Sequence, residues 1–212
     1  MQTFKYIGLT GLTLLTISSL TLIKPAMAIE KAKYTVVEKT DDFEIRKYEP
    51  HIVAETFVTG SIKEGGNTGF RRLYAYISGD NHKKQSISMT APVGQESNSE
   101  KIAMTAPVSQ EQRDNQWRVT FIMPAEYTLE MLPEPNDEDV KLKREPGRWM
   151  ATVRYAGTWS EKSYQANKTL LEEYIQKRGL TTSGAAIWAR YNPPFMPWFL
   201  RRNEVLIPVQ EF

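Results

Sequence analysis

Two hydrophobic periodicities alternate along the chain after residue 34, and their order is what most restricts the fold. Stretches in which every second residue is apolar predict strands, and only two stretches with helical spacing interrupt them. Two unevenly placed helices are too few for the regular alternation of strand and helix that a parallel sheet requires. We therefore predict an α+β fold: a distorted antiparallel β-barrel of two pseudo-repeated β-α-β halves, 34–123 and 124–212, with two main helices packed outside.

Seven strands are predicted, at 34–37, 43–46, 51–58, 117–123, 149–155, 186–191 and 204–209. In the third strand, the even-numbered residues from Ile52 to Val58 share one face, and the odd-numbered residues from His51 to Phe57 share the other. The segments 133–139 and 192–198 are rich in proline, so both are expected to be irregular.

The first helix is predicted from four apolar residues at i, i+3, i+4 and i+7, namely Phe70, Leu73, Tyr74 and Ile77. Asn67 is the expected N-cap and Gly79 the expected stop. The second helix is predicted to begin after Ser160 and to close at Gly179. Its inward stripe is expected to contain Tyr164, Leu170, Leu171, Tyr174 and Ile175.

The first 28 residues have the layout of a secretory signal peptide: Lys5, an apolar run from Ile7 to Ile23, and then Ala26-Met27-Ala28. We expect cleavage after Ala28, export to the periplasm or the exterior, and a mature domain over 29–212. The run of 17 residues is shorter than the roughly 20 that a spanning helix needs. Contact with a membrane is therefore expected only if the leader is retained.

The chain contains no cysteine, which excludes disulfides, thiol catalysis, cysteine-bound zinc, iron–sulfur clusters and covalent c-type haem. Of 27 basic residues, Lys5 and Lys24 leave with the leader, and the remaining 25 equal the 25 acidic residues. A nucleic-acid-binding protein normally carries a positive excess. We therefore expect no nucleic-acid partner, and the sequence leaves the oligomeric state open.

The pentapeptide Met-Thr-Ala-Pro-Val occurs twice, at 89–93 and at 104–108. Its proline cannot donate to a sheet, so each copy is expected on an edge or at a bulge. Either both copies close the core through a hairpin, or Met89 or Met104 faces a ligand pocket.

Four motifs, in this order, resemble the SOUL haem-binding family: Phe-Glu-Ile-Arg-Lys-Tyr at 43–48, Lys-Ile-Ala-Met-Thr-Ala-Pro-Val at 101–108, Phe-Ile-Met-Pro at 121–124, and Tyr-Asn-Pro-Pro at 191–194 followed by Arg-Arg-Asn-Glu-Val at 201–205. The resemblance covers about 34–209. It implies a distorted barrel similar to the small-molecule-binding domains of some bacterial regulators.

The resemblance also implies reversible, non-covalent binding of haem or another tetrapyrrole in an apolar groove, for scavenging, buffering or transport. A family does not by itself fix a function. The alternatives are a binder of another hydrophobic small molecule, and a small hydrolase or dechelatase on the same scaffold.

A branch of the family has a histidine within the Glu-Ile-Arg-x-Tyr motif, and here that position is Lys47. The chain has two histidines, of which His82 lies in a polar run expected at the surface. His51 is therefore the candidate iron ligand, and binding without a protein ligand is equally compatible with the sequence. Weaker candidates are Tyr48, Met89 and Met104.

The groove is expected to take its apolar wall from Phe70, Leu73 and Tyr74. Cationic partners for the propionates would come from Arg71, Arg72, Arg201 or Arg202. No paired-histidine motif, nucleophile elbow, phosphate loop or dinucleotide fingerprint occurs, so we do not expect an enzyme. A catalytic alternative would draw on the carboxylates of Glu44 or Glu55.

Overall fold

The structure is a computed structural model that describes residues 29–84 and 98–211. The strands in these residues are β1 (Tyr34–Lys39), β2 (Phe43–Tyr48), β3 (His51–Val58), β4 (Asn81–His82), β5 (Val108–Arg113), β6 (Gln116–Ile122), β7 (Glu134–Pro135), β8 (Lys141–Glu145), β9 (Trp149–Tyr155), β10 (Ile187–Arg190) and β11 (Asn203–Val209). The helices are α1 (Ile62–Ile77), α2 (Glu161–Lys177) and a short 3-10 helix (Trp198–Leu200).

Nine strands form one curled antiparallel sheet in the order β1-β2-β9-β11-β10-β5-β6-β3-β8, and β4 pairs with β7 in a small second sheet. Both helices cover the same face of the large sheet. Gln110 and Trp188 are cross-strand partners at its centre, and Gln110 contacts the start of α1 while Trp188 stacks on Tyr164 of α2. The α+β prediction is confirmed.

The expected repeat is present, but in space its halves are not the two expected sequence blocks. The strand groups β5-β6-β3-β8 and β10-β11-β9-β2 have the same order and meet where β5 pairs with β10. Strand β2 directly precedes β3 in the chain but pairs with β9, and β8 directly precedes β9 but pairs with β3, so each group contains one strand from the other part of the chain. The connectors from β2 to β3 and from β8 to β9 pass so closely that a Cβ atom on Gly147 would lie 2.7 Å from the Tyr48 carbonyl oxygen. Along the chain the repeat reads β2-β3-α1-β5-β6 and then β8-β9-α2-β10-β11, which agrees with a boundary near residue 123, while each spatial group takes one strand from the other block.

Helix α1 begins earlier than predicted, because its true N-cap is Ser61 rather than Asn67. Ser61 and Glu64 form a capping box, which satisfies two free backbone N–H groups. The early turns contain glycines, which weaken a helical pattern. The structure explains them by close packing: a Cβ atom on Gly69 would lie 2.5 Å from Val119 Cγ2 on β6.

Helix α2 matches its predicted limits, with Ser160 as the N-cap and Gly179 in the left-handed conformation at φ +66° after the last turn. Leu170 is a correction, because its side chain is exposed rather than on the inward stripe. Among the described residues, neither helix combines the length and hydrophobicity needed to cross a bilayer.

The proline-rich segment 133–139 is more regular than predicted. Its residues Glu134 and Pro135 form β7, which pairs with β4. The segment is held against α1 because the buried Tyr76 hydroxyl donates to the Pro133 carbonyl at 3.0 Å.

Candidate ligand-binding site

A cleft of about 470 Å³ opens on the helix-covered face of the sheet, above the seam where β5 pairs with β10. This volume lies within the range of small-molecule sites. Its lining comes from five places: Ile29, the first half of α1, the segment 104–108, Trp159 just before α2, and residues 190–195. The two helices therefore frame the cleft, and the junction of the two strand groups forms its floor.

Phe70 provides one apolar wall of the cleft. Its ring is half-buried and lies edge-on to Phe121 at 5.4 Å and stacked against Tyr74 at 5.7 Å between ring centroids. One turn earlier, Gly66 also lines the cleft. A Cβ atom at Gly66 would lie 2.6 Å from Gln110 Oε1, so only glycine lets the helix approach the floor this closely.

Arg190, the last residue of β10, places a cation in this apolar setting. Its Nη2 donates to Gln110 Oε1 at 3.3 Å, and its guanidinium carbon lies 5.6 Å from the Trp159 ring centroid and 5.1 Å from the Trp188 centroid. Its buried Nε has no hydrogen-bond partner, and no ion pair forms with it among the described residues. Burial lowers the Arg190 pKa to about 10, because charge is costly away from water.

Met104 projects at the mouth of the cleft, beside Ile29 and Phe195. The neighbouring chain is fixed, because the Thr105 hydroxyl donates to the Ile122 carbonyl at 2.5 Å and the Ala106 N–H donates to the Glu30 carbonyl at 2.8 Å. The second Met-Thr-Ala-Pro-Val copy therefore contributes its methionine to the cleft. The first copy, with Met89, lies outside the described residues.

A buried ionic network holds the far wall. The Tyr191 hydroxyl donates to Glu204 at 2.7 Å, and Glu204 also accepts two hydrogen bonds from Arg46, at 2.8 and 3.0 Å, and two from Arg202, at 2.7 and 3.0 Å. Burial alone would raise the Glu204 pKa, but hydrogen bonds and the charge of Arg46 outweigh it and the pKa is lowered. The network fixes the backbone at the point where Tyr191 enters the cleft.

Two of the predicted wall residues lie elsewhere. Leu73 is completely buried in the core between α1 and the sheet, so a ligand cannot reach it. Tyr74 is half-exposed and does not line the cleft. Helical spacing put Phe70, Leu73 and Tyr74 on one stripe, but that stripe faces the core at its centre and the cleft only at Phe70.

None of the four predicted cationic partners lines the cleft, although Arg201 contacts two residues that do, Pro194 and Trp159. The contacts of the four are Arg71 with the Thr68 hydroxyl, Arg72 with Asp139, Arg201 with two carbonyl oxygens, and Arg202 with Glu204. The cation that does line the cleft is Arg190, which the sequence reasoning missed. One signal was available, because Arg190 directly follows the apolar stretch Ile187 to Ala189.

His51 lies on the opposite face of the sheet from the cleft and does not line it, so its role as an iron ligand stays a prediction that a macrocycle held in this cleft would not fulfil. Its Nδ1 lies 2.9 Å from the Glu49 carbonyl oxygen, and the residue borders two other cavities, of about 60 and 290 Å³. Tyr48 borders the smaller of these two cavities. Of the cleft residues, Met104 has a thioether that can ligate iron, whereas the Tyr191 hydroxyl is already engaged as a donor to Glu204.

Glu44 and Glu55, the carboxylates considered for catalysis, are also outside the cleft. Glu44 accepts from Arg46 at 2.7 Å. Glu55 accepts from Arg118 at 2.5 Å, and Arg118 also donates to Glu111 and Glu145, all buried on the face away from the helices.

The model of the family described as SOUL heme-binding protein matches residues 29–208. Heme-binding protein 1 of Mus musculus is 25% identical over 179 residues, covering 84% of this chain and 80% of the relative. Heme-binding protein 1 of Xenopus laevis is 26% identical over 164 residues, covering 77% and 81% respectively.

Among solved structures, a hydrolase from Listeria innocua aligns with a TM-score of 0.52 at 14% identity, covering 82% of this chain and 94% of that one. The EcmrR C-terminal domain aligns with a TM-score of 0.54 at 10% identity, covering 84% and 99%. At such identities the likeness concerns the fold alone.

Proposed function

Because the chain belongs to the SOUL haem-binding protein family, we propose that it binds haem or a related tetrapyrrole non-covalently in the cleft beside α1. One observation carries the proposal: Arg190 is a cation without a counter-ion among the described residues, inside an otherwise apolar cleft. A haem is flat and apolar and bears anionic propionates. Its ring suits Phe70 and Met104, and a propionate suits the guanidinium of Arg190.

Each cleft residue has a distinct role in this proposal. Phe70 offers its ring to the face of the macrocycle, and Met104 brings a thioether, which is an accepted axial ligand of haem iron. Phe195, almost fully exposed at the rim, can fold its ring over an occupied cleft. The bound haem would supply the iron centre, and the protein would supply apolar contact and charge.

We propose further that the protein is exported and that it scavenges, buffers or transports the tetrapyrrole. A carrier must release its ligand, and this cleft combines an open rim with a single cationic contact. The names of the mammalian and amphibian relatives refer to haem binding rather than to catalysis, which supports a binding role.

Titration of the purified protein with hemin, followed at the Soret band, tests the proposal. We expect a saturable shift at micromolar concentrations, and weaker binding of the dimethyl ester, in which the propionates are blocked. The absence of a saturable shift up to tens of micromolar would remove haem as the ligand.

Two experiments test the alternatives, a binder of another hydrophobic small molecule and a hydrolase or dechelatase. Native mass spectrometry of protein purified from its own host would favour the first if a lipid or another apolar molecule co-purifies. Turnover of an added tetrapyrrole by the purified protein would favour the second.

A further inference from the structure

Four large apolar side chains are exposed in the short segment Phe195–Leu200, which we call the apolar loop. Phe195 is 85% exposed, Trp198 and Phe199 are each 58% exposed, and Leu200 is 61% exposed. Single exposed apolar residues are common, but a contiguous group of this size marks an interaction surface.

The apolar loop is held in one conformation by Arg201. The Arg201 guanidinium donates to the carbonyl oxygens of Met196 and Pro194, each at 2.7 Å, and its carbon lies 4.5 Å from the centroid of the Trp159 ring. The exposed side chains are thus presented from a fixed backbone. Little conformational freedom remains to be lost when they are buried against a partner.

The charge around the apolar loop is positive. Residues 192–202 include Arg201 and Arg202 and no acidic residue. Arg202 pairs with Glu204, whereas Arg201 contacts only carbonyl oxygens and Trp159 and forms no ion pair within the described residues. A rigid apolar tip with tryptophan, above an uncompensated arginine, has the chemistry of a segment that enters the interface of an anionic bilayer.

We propose that the apolar loop inserts into the surface of a lipid bilayer containing anionic lipids. Phe195 belongs both to this loop and to the rim of the cleft, so insertion brings the mouth of the cleft to the lipid surface. An apolar macrocycle dissolved in the bilayer would then pass into the cleft without crossing water. This exchange step rests on the proposed function, whereas attachment to the bilayer does not.

Vesicle co-sedimentation tests the attachment without any haem. The chain beginning at Ile29 contains every described residue of the fold, and its use keeps the apolar leader from contributing. It is mixed with vesicles of phosphatidylcholine and phosphatidylglycerol, or of phosphatidylcholine alone. We expect binding to the first vesicles and weaker binding to the second, and salt should weaken the binding to the first, because it screens the attraction between Arg201 and the anionic lipid.

The loop variant carries Phe199→Ser with Leu200→Ser, since neither side chain lines the cleft. Its matched control carries Met131→Ser with Leu170→Ser, residues that are 59% and 50% exposed elsewhere on the surface. We expect the loop variant to lose about tenfold or more in vesicle affinity, because less apolar side-chain area is buried in the bilayer, and we expect no loss for the control.

Failure of the wild-type chain to bind anionic vesicles, or equal binding by the loop variant, overturns the proposal. Size-exclusion chromatography tests whether a second copy of this chain, rather than a bilayer, covers the apolar loop. A wild-type dimer that the loop variant converts to a monomer, without vesicle binding by either, would make the loop a self-association surface instead. The hemin titration is run separately, without vesicles, on the wild-type chain and on the loop variant. Failure of haem binding is therefore distinguishable from failure of membrane attachment.

Discussion

Gln110 joins the start of α1 to the cation in the cleft. Its Nε2 donates to the Ile62 carbonyl oxygen at 2.7 Å, and its Oε1 accepts from Arg190 Nη2 at 3.3 Å. The amide is therefore fixed in orientation by the helix, and it presents its oxygen to the guanidinium. Among the described residues, Arg190 therefore has a neutral hydrogen-bond partner and no ion pair.

Replacing Arg190 with Met should weaken haem binding by about tenfold or more, since a hydrogen bond to a charged group contributes roughly 1.5 to 3 kcal/mol. The melting temperature of the ligand-free protein should not fall, because the substitution removes a buried charge that lacks a counter-ion among the described residues. Soret titration and thermal unfolding measure the two effects. The control is Arg154→Met, at an exposed position on β9. Unchanged affinity with a lowered melting temperature would assign Arg190 a purely structural role.

His51→Ala should leave the hemin affinity and the position of the Soret band unchanged, because His51 is on the other face of the sheet from the cleft. Met104→Ala should weaken binding by removing an apolar contact at the rim. The two titrations are compared side by side. A loss confined to the His51 variant would move the ligand to the other face and contradict the proposed cleft.

Glu204→Gln should lower the free energy of unfolding by about 3 kcal/mol at neutral pH, since it leaves the buried Arg46 guanidinium with the less buried Glu44 as its remaining carboxylate partner among the described residues. Urea unfolding measures the loss. Glu211→Gln, whose carboxylate is at the surface, should change little.

The Glu204 carboxyl also makes the free energy of unfolding depend on pH. The pKa of Glu204 is lowered in the folded protein, so its contribution to stability is complete above the unfolded pKa of about 4.3 and is lost as the pH falls through the folded pKa. Wild-type stability should therefore decline in acid more steeply than that of Glu204→Gln. Parallel declines would show that other carboxyls dominate.

Gly69→Ala should destabilise the protein by about 1 to 3 kcal/mol, although alanine favours helices. The added Cβ atom would meet both the Cβ and Cγ2 atoms of Val119, at 2.6 and 2.5 Å, so the helix must move off the sheet. Arg71→Ala, on the exposed side of the same helix, should be near neutral. Chemical denaturation measures the free energy of unfolding of both variants. A Gly69→Ala protein that is more stable than the wild type would contradict the close packing.

The sequence predicted the class of fold, both helices and the faces of β3, because these depend on local periodicity. It did not predict the strand exchange, since pairing of β2 with β9 rather than with β3 leaves the local pattern unchanged. Nor did it place Arg118, whose alternation with Trp117 and Val119 suggested a solvated side. The curled sheet instead buries Arg118 among three glutamates.

The candidate site was predicted only in part, for a related reason. Phe70 and Met104 were identified by residue type, but cations were sought at exposed arginines in loops and on helix surfaces. Arg190 stands at the end of a buried strand, and its value to a ligand comes from what surrounds it: two tryptophan rings, one amide and no carboxylate within the described part of the chain. Such surroundings arise only from tertiary structure.

The exchange of β2 and β8 links the two strand groups, because each group is completed by a strand from the other part of the chain. The connectors that join the groups, between β2 and β3 and between β8 and β9, contain two and three residues, so the groups are held close together where these connectors pass each other. We expect the floor of the cleft to change shape little between the occupied and the empty state. Adaptation to ligands of different size must come from the rim, where Met104 and Phe195 are free to change rotamer.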